Sequence, residues 1–209
     1  MASTSVLGLS ITLTPTLLTA LRIAPLVGST ASLTHAYLEW VFTSSFLWYP
    51  NTRTAFNQSV IKTAPPTKQQ KSDYASRLDT AKDIVHPAVF SNFFNTALWS
   101  VIGFNSVTTF SALANLFLFG EGLEPSRTLY TVGLSAAVAH YIFVPLVAGP
   151  VAELVKMCVL QEQGEEIKEK GKAVRNQAEW TSLHTKRFLT VDVLAWVSFA
   201  VGVVRVLTK

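Results

Sequence analysis

The sequence predicts an all-α integral membrane protein: a four-helix bundle, with or without an extra short N-terminal helix. Three observations carry that expectation. Only 14% of the 209 residues are charged and 49% are hydrophobic, whereas a soluble domain carries roughly 25% charge. Four apolar runs, at about residues 21–48, 87–119, 127–159 and 183–207, are long enough to cross a bilayer. Lys and Arg concentrate in the two long loops between runs, about 49–86 and 160–182, as cytosolic loops require.

Residues 1–209 therefore read as one multi-pass domain with mean hydropathy +0.34. The formal charge of +4 does not argue for nucleic acid, because the basic residues lie in loops beside apolar spans. The single Cys158 allows no internal disulfide and cannot alone build a zinc site. No repeat, Gly-rich phosphate loop or low-complexity tail is present.

The apolar stretch Val6–Leu21 lacks the basic leader of a secretory signal, and Arg22 follows it in place of a small-residue cleavage site. It is expected to be retained, as a lumenal extension of the first span or as a separate short helix. The first span holds Pro25 near its start, tolerable as an early-turn residue or a kink. Trp40, Trp48 and Tyr49 crowd its far end, as aromatic residues do at an interface, and Pro50-Asn51 ends it. In the following loop Arg53, Lys62, Lys68, Lys71, Arg77 and Lys82 face Asp73, Asp79 and Asp83, Pro65-Pro66 breaks the chain, and residues 72–83 suit a surface helix.

Pro87 suits the first turn of the second span. Asn92, Asn95, Trp99 and Ser106 fall within about 60° on a helical wheel, while Asn105 and Asn115 suit interhelical packing. An acidic link, 120–126, turns the chain into the third span, where Pro145 and Gly149-Pro150 predict a kink. Residues 160–183 are expected to extend that helix beyond the bilayer. Trp180, His184 and Arg187 stand at i, i+4 and i+7 at the start of the last span, followed by Asp192 and Trp196.

The organising feature is His35 and Glu39, an imidazole and a carboxyl four residues apart inside an apolar run. In hydrocarbon such groups cost several kcal/mol (roughly 3) unless paired or facing a cavity, and they are functional candidates by default. Helix rise puts Glu39 about 15 Å and Asp192 about 12 Å inside the cytosolic ends of their spans, with Asn95 and Trp99 about 12–18 Å and Glu153 about 8 Å inside theirs. The opposite half, 107–119 and 193–204, is nearly all apolar. This shared depth predicts a pocket towards the cytosolic leaflet, with Glu39 and Asp192 facing one cavity.

Two carboxyls of unequal protonation can protonate an oxygen leaving group and activate water or a hydroxyl. Glu39 and Asp192 are the catalytic candidates, with His35 tuning Glu39. Tyr37, Asn92, Asn95, Trp99, Glu153, Trp180, His184, Arg187 and Trp196 are the candidates for substrate binding, and the aromatic residues suit a lipophilic substrate. A structural alternative pairs Glu39 with His35, and Asp192 with Arg187 or a neighbouring helix. No cofactor is expected. The four histidines show no HxxxH or HxxE spacing, so no metal is expected either.

Phe90-Ser91-Asn92-Phe93-Phe94-Asn95, Leu98-Trp99-Ser100-Val101 and Asn105-Ser106-Val107-Thr108 resemble the second span of small fungal four-helix membrane proteins of natural-product pathways. Ala139-His140-Tyr141 to Pro145 and Trp180-xxx-His184-xx-Arg187 resemble the same group. It includes anthrone-oxygenase-like proteins and membrane proteins associated with epoxide opening or cyclisation. The resemblance covers most of 22–207 and implies an endoplasmic-reticulum enzyme of secondary metabolism. The Trp-His-Arg pattern matches the oxygenase-like group, in which His184 or His140 would deprotonate the substrate and Arg187 or Trp180 would hold the anion. The Glu39 and Asp192 pair suits acid–base opening of an epoxide in a polyketide or terpenoid intermediate. A non-catalytic membrane scaffold or small transporter is the remaining alternative. The expected partners are a lipophilic small molecule and membrane lipids.

Overall fold

The computed structural model describes residues 2–50, 53–60 and 64–208. The expectations placed on Asn51 and Lys62 lie outside the described residues. Of the described residues, 82% are helical. Four helical stretches, Pro15–Leu47, Lys68–Leu118, Glu124–Glu162 and Lys172–Leu207, are long and apolar enough to cross a membrane. It is an all-α, multi-pass integral membrane protein.

Of the N-terminal stretch expected to extend the first span or form a separate helix, residues 15–21 do extend the first span, whereas the part before Pro15 is corrected. Strands β1 (Ala2–Val6) and β2 (Leu9–Leu13) form an antiparallel hairpin with Ala2 opposite Leu13. Leu7 and Gly8 both have positive φ, 51° and 81°, as a two-residue primed hairpin turn demands. Ser and Thr alternating with apolar residues favour strand over helix at this point. Helix α1 then runs Pro15–Leu47, six residues earlier than its expected start. Pro15 occupies the first turn, where its missing N–H is no loss, and the Thr14 hydroxyl accepts the Leu17 amide at 3.3 Å.

After the short α2 (Ala55–Val60), helix α3 runs Lys68–Leu113 and continues as a π turn, Ala114–Leu118. The surface helix anticipated at 72–83 and the second span are thus one helix, and Pro87 lies in its interior, not its first turn. In the third stretch a 3₁₀ turn, Glu124–Ser126, leads into α4 (Arg127–Ala139), and a second, His140–Ile142, separates it from α5 (Phe143–Glu162). That second turn is the effect of Pro145: its ring and missing N–H disturb the carbonyl four residues earlier, at Tyr141. Residues 160–183 do not prolong α5. The helix ends at Glu162, the chain turns through Gly164 and Gly171 at φ 80° and 75°, and α6 (Lys172–Arg187) begins. A π turn, Phe188–Asp192, joins α6 to α7 (Val193–Leu207).

The chain divides into two compact units. Unit 1 comprises residues 1–40, 95–147 and 182–209. Its core includes Leu123, Tyr130, Ala136, Ala137, Ala195, Phe199 and Val203. The pairing of α4 with α7 depends on Gly133: a Cβ there would lie 2.8 Å from the Phe199 ring. Polar side chains satisfy backbone carbonyls across this unit. Arg22 donates to Glu121 O at 2.6 Å, Tyr130 donates to Arg22 O at 2.6 Å, and Asn115 donates to Leu21 O at 2.7 Å. Asn105 and Asn115 bridge helices as anticipated, Asn105 donating to Ala137 O at 3.5 Å.

Unit 2 comprises residues 41–94 and 148–181. Aromatic pairs fill it: Phe42 with Phe93 at 5.0 Å between ring centroids, Phe46 with His86 at 5.5 Å and Phe90 with Trp180 at 5.3 Å. Asp83 serves as a remote cap for α6, its carboxylate accepting the Gly171 and Ala173 amides at 2.5 and 3.3 Å. These are amides that the first turn of a helix leaves without helical partners.

Candidate functional site

The π turn of unit 1 sets the geometry of the site. In a regular α-helix, residues five apart point about 140° away from each other. Widening the turn over Phe188–Asp192 lets Arg187 Nε reach Asp192 Oδ2 at 3.2 Å. Such π segments occur frequently at functional sites.

Arg187 also turns to α1, with Nη2 3.6 Å from Glu39 Oε2. One guanidinium therefore lies between two carboxylates from separate helices. Each carboxylate has imidazoles of its own. His140 Nδ1 is 2.9 Å from Asp192 Oδ1. His35 Nδ1 is 3.6 Å from Glu39 Oε1, and His184 Nδ1 is 3.6 Å from Glu39 Oε2. The other His184 nitrogen, Nε2, is 2.8 Å from the Ala36 carbonyl oxygen. A carbonyl only accepts, so Nε2 carries the hydrogen and Nδ1 is the edge turned to Glu39.

Six side chains thus form one contiguous set: His35, Glu39, His184, Arg187, Asp192 and His140. With both carboxylates and the guanidinium ionised the set sums to −1, and one proton on an imidazole brings it to zero. Burying net charge is costly, so a proton on one imidazole lowers the cost of enclosing the set. It is not equally enclosed throughout. The side chains of His184 (1% exposed), Glu39, Asp192 and His140 (6% each) are sealed, whereas Arg187 (13%) and His35 (21%) reach the edge.

Asp192 also lines a crevice of about 10 Å³ with Ser29, Ser32, Asn105, Thr108, Ala137 and Ala195. That is room for one water. Glu39 is not in its lining, so the two carboxyls meet through Arg187 and not across the open cavity that their depth suggested. Among the described residues, no three His, Cys, Asp or Glu side chains converge as metal ligands would.

Several predicted contacts fall elsewhere. Tyr37, Asn92, Asn95 and Trp99 are exposed, Tyr37 at 50% and Trp99 at 73%, so the Asn-Asn-Trp stripe is on an outer surface. The physical reason is that α3 buries its small and hydroxyl face, Ala97, Thr108 and Ala112, and turns this polar-aromatic face out. Trp196 of unit 1 is half-buried and donates to Thr30 Oγ1 at 3.0 Å. In unit 2, Glu153 pairs with Lys172 at 2.6 Å, and Trp180 packs edge-on against Phe90 and Phe93.

The set gains one member that the acid–base reading of the sequence did not include. His140 joins it because the 3₁₀ turn before Pro145 sets its side chain beside Asp192; an ionisable residue inside an apolar span was the available signal. Arg22 was also missed as a structural group: once α1 starts at Pro15, the residue falls within the helix and its buried guanidinium needs the carbonyls of Phe119 and Glu121 that it finds. No protein-family model, curated protein or solved structure matches this chain.

Proposed function

We propose that this protein is a membrane-embedded enzyme of secondary metabolism, resident in the endoplasmic reticulum. It opens an epoxide in a lipophilic polyketide or terpenoid intermediate by acid–base chemistry, through hydrolysis or cyclisation. One observation carries the reading: two buried carboxylates on separate helices share one guanidinium, and each touches imidazole. The three imidazoles beside the two carboxylates can each take or give a proton there.

In the reaction a proton held between Glu39 and its imidazoles, His35 and His184, passes to the epoxide oxygen as the C–O bond breaks. Asp192, beside the water-sized crevice, takes a proton from water or from a hydroxyl of the substrate as the new C–O bond forms. His140 orients Asp192, and Arg187 holds the two carboxylates in register. Transfer of the proton from Asp192 back to the Glu39 side restores the site, with no net oxidation. In this reading the exposed side chains of Tyr37, Asn95 and Trp99 meet a lipophilic substrate arriving from the bilayer.

Purified protein given the intermediate that accumulates when the gene is absent tests the reading. Glu39→Gln and Asp192→Asn should each lower turnover by at least ~10²-fold while the protein stays folded in detergent. Wild-type rates in both variants would sink it.

A second reading is favoured by His184 and Arg187 lying together in the set. In a cofactor-free oxygenase of an anthrone-type substrate, His184 or His140 would abstract a carbon-bound proton. The carbanion would reduce O₂, one oxygen atom becoming a ketone and the other leaving as water. Stoichiometric oxygen consumption identifies this reaction, since epoxide opening consumes none. Absence of any turnover would leave the protein a scaffold or transporter.

A further inference from the structure

In unit 2 an apolar groove of about 250 Å³ is lined by Phe46, Trp48, Leu78 and Val85 together with Lys82 and His86. Lys82 and His86 are four residues apart on α3 and so share its face. Both are more than nine-tenths buried, at 7% and 4% exposure, while Trp48 and Val85 keep the groove open to the outside at 65% and 47%.

A buried ammonium needs an anion or several acceptors. Lys82 Nζ has the Leu47 carbonyl at 3.3 Å and the Tyr49 ring centroid at 4.6 Å, and among the described residues no carboxylate forms an ion pair with it. The neighbouring acids are engaged elsewhere. Asp79 accepts the Tyr49 hydroxyl at 2.7 Å, and Asp83 accepts the Gly171 and Ala173 amides. The bond to Asp79 raises the Tyr49 pKa above its ordinary value, so this phenol stays neutral and adds no opposing charge. His86 Nδ1 is buried without a hydrogen-bond partner among the described residues. The groove therefore combines apolar walls, an ammonium with no ion-pair partner among the described residues, and a ring nitrogen, His86 Nδ1, without a hydrogen-bond partner among them.

We propose that this groove binds an anionic phospholipid. Its phosphate oxygens accept from the Lys82 ammonium beside His86, and part of an acyl chain lies along Phe46, Leu78 and Val85. Free phosphate would leave those walls unused. A zwitterionic lipid would bring a second cation to a site that already has one.

The full chain, reconstituted in mixed dioleoyl phosphatidylcholine and phosphatidylglycerol and gently extracted, is analysed for retained lipid by native mass spectrometry. Phosphatidylglycerol should be enriched roughly fivefold over its bulk fraction, the preference one basic residue confers near a membrane surface. Lys82→Gln should bring the ratio to parity, Lys82→Arg should keep the enrichment, and the exposed Lys71→Gln should not alter it. Leu78→Glu, which adds a carboxylate to the groove, offers a second route to the same loss. Parity in the wild type, enrichment surviving both Lys82→Gln and Leu78→Glu, or complete displacement of the lipid by inorganic phosphate would overturn the proposal.

Discussion

The two units use buried acids in opposite ways. In unit 2, Asp83 is spent on the backbone, capping α6 through the Gly171 and Ala173 amides, while Gln161 donates to its main-chain carbonyl at 3.0 Å. In unit 1, Glu39 and Asp192 meet the guanidinium of Arg187 and the imidazoles of His35, His184 and His140. The first arrangement satisfies amides that a helix start always leaves over. The second meets no such need. Charged pairs in low dielectric seldom stabilise more than apolar packing of the same volume would. Helix capping therefore accounts for the acid of unit 2, whereas it does not account for the acids of unit 1.

The largest expected effect tests the mutual dependence of the unit 1 charges. Arg187→Ala leaves two buried carboxylates facing each other and should destabilise by about 3–5 kcal/mol, read from thermal unfolding in detergent. Arg187→Met combined with Glu39→Gln and Asp192→Asn should recover most of that loss, because it removes the charges together. If the triple variant is no more stable than Arg187→Ala, the set is held by something other than its charges.

Asp83→Ala removes a cap and should cost about 1 kcal/mol, at most about 2, with turnover unchanged. A fall in turnover matching that of Glu39→Gln would erase the distinction between the units. The smallest effect belongs to the Glu153–Lys172 pair, whose side chains are 39% and 33% exposed. Glu153→Gln should change stability by no more than about 1 kcal/mol and leave turnover within about twofold. Greater loss of activity would return Glu153 to the site in which the sequence placed it.

The apolar spans were legible because hydrocarbon permits few polar residues, so composition alone marks them. His35 and Glu39 were legible for the same reason: two ionisable residues one helical turn apart inside such a span stand out against it. Asp192 and Arg187 were visible as residues, and their pairing was one of the alternatives, but their spacing of five is wrong for an α-helix. The pairing depends on a π turn that no periodicity announces. Asn92, Asn95 and Trp99 illustrate the converse. Their shared face was correctly inferred from the helical repeat, yet the repeat cannot say which face turns inward.

Local chemistry therefore dictated the spans and the polar outliers within them, since each depends on near neighbours in the chain. Helix packing settled the rest: the rotation of α3 that puts its Asn-Asn-Trp stripe outside, the turn before Pro145 that brings His140 to Asp192, and the meeting of Glu39 with Arg187. These are contacts between residues up to 148 apart in sequence. They follow from which surfaces fit against one another, a property that belongs to pairs of helices and is written in neither helix alone.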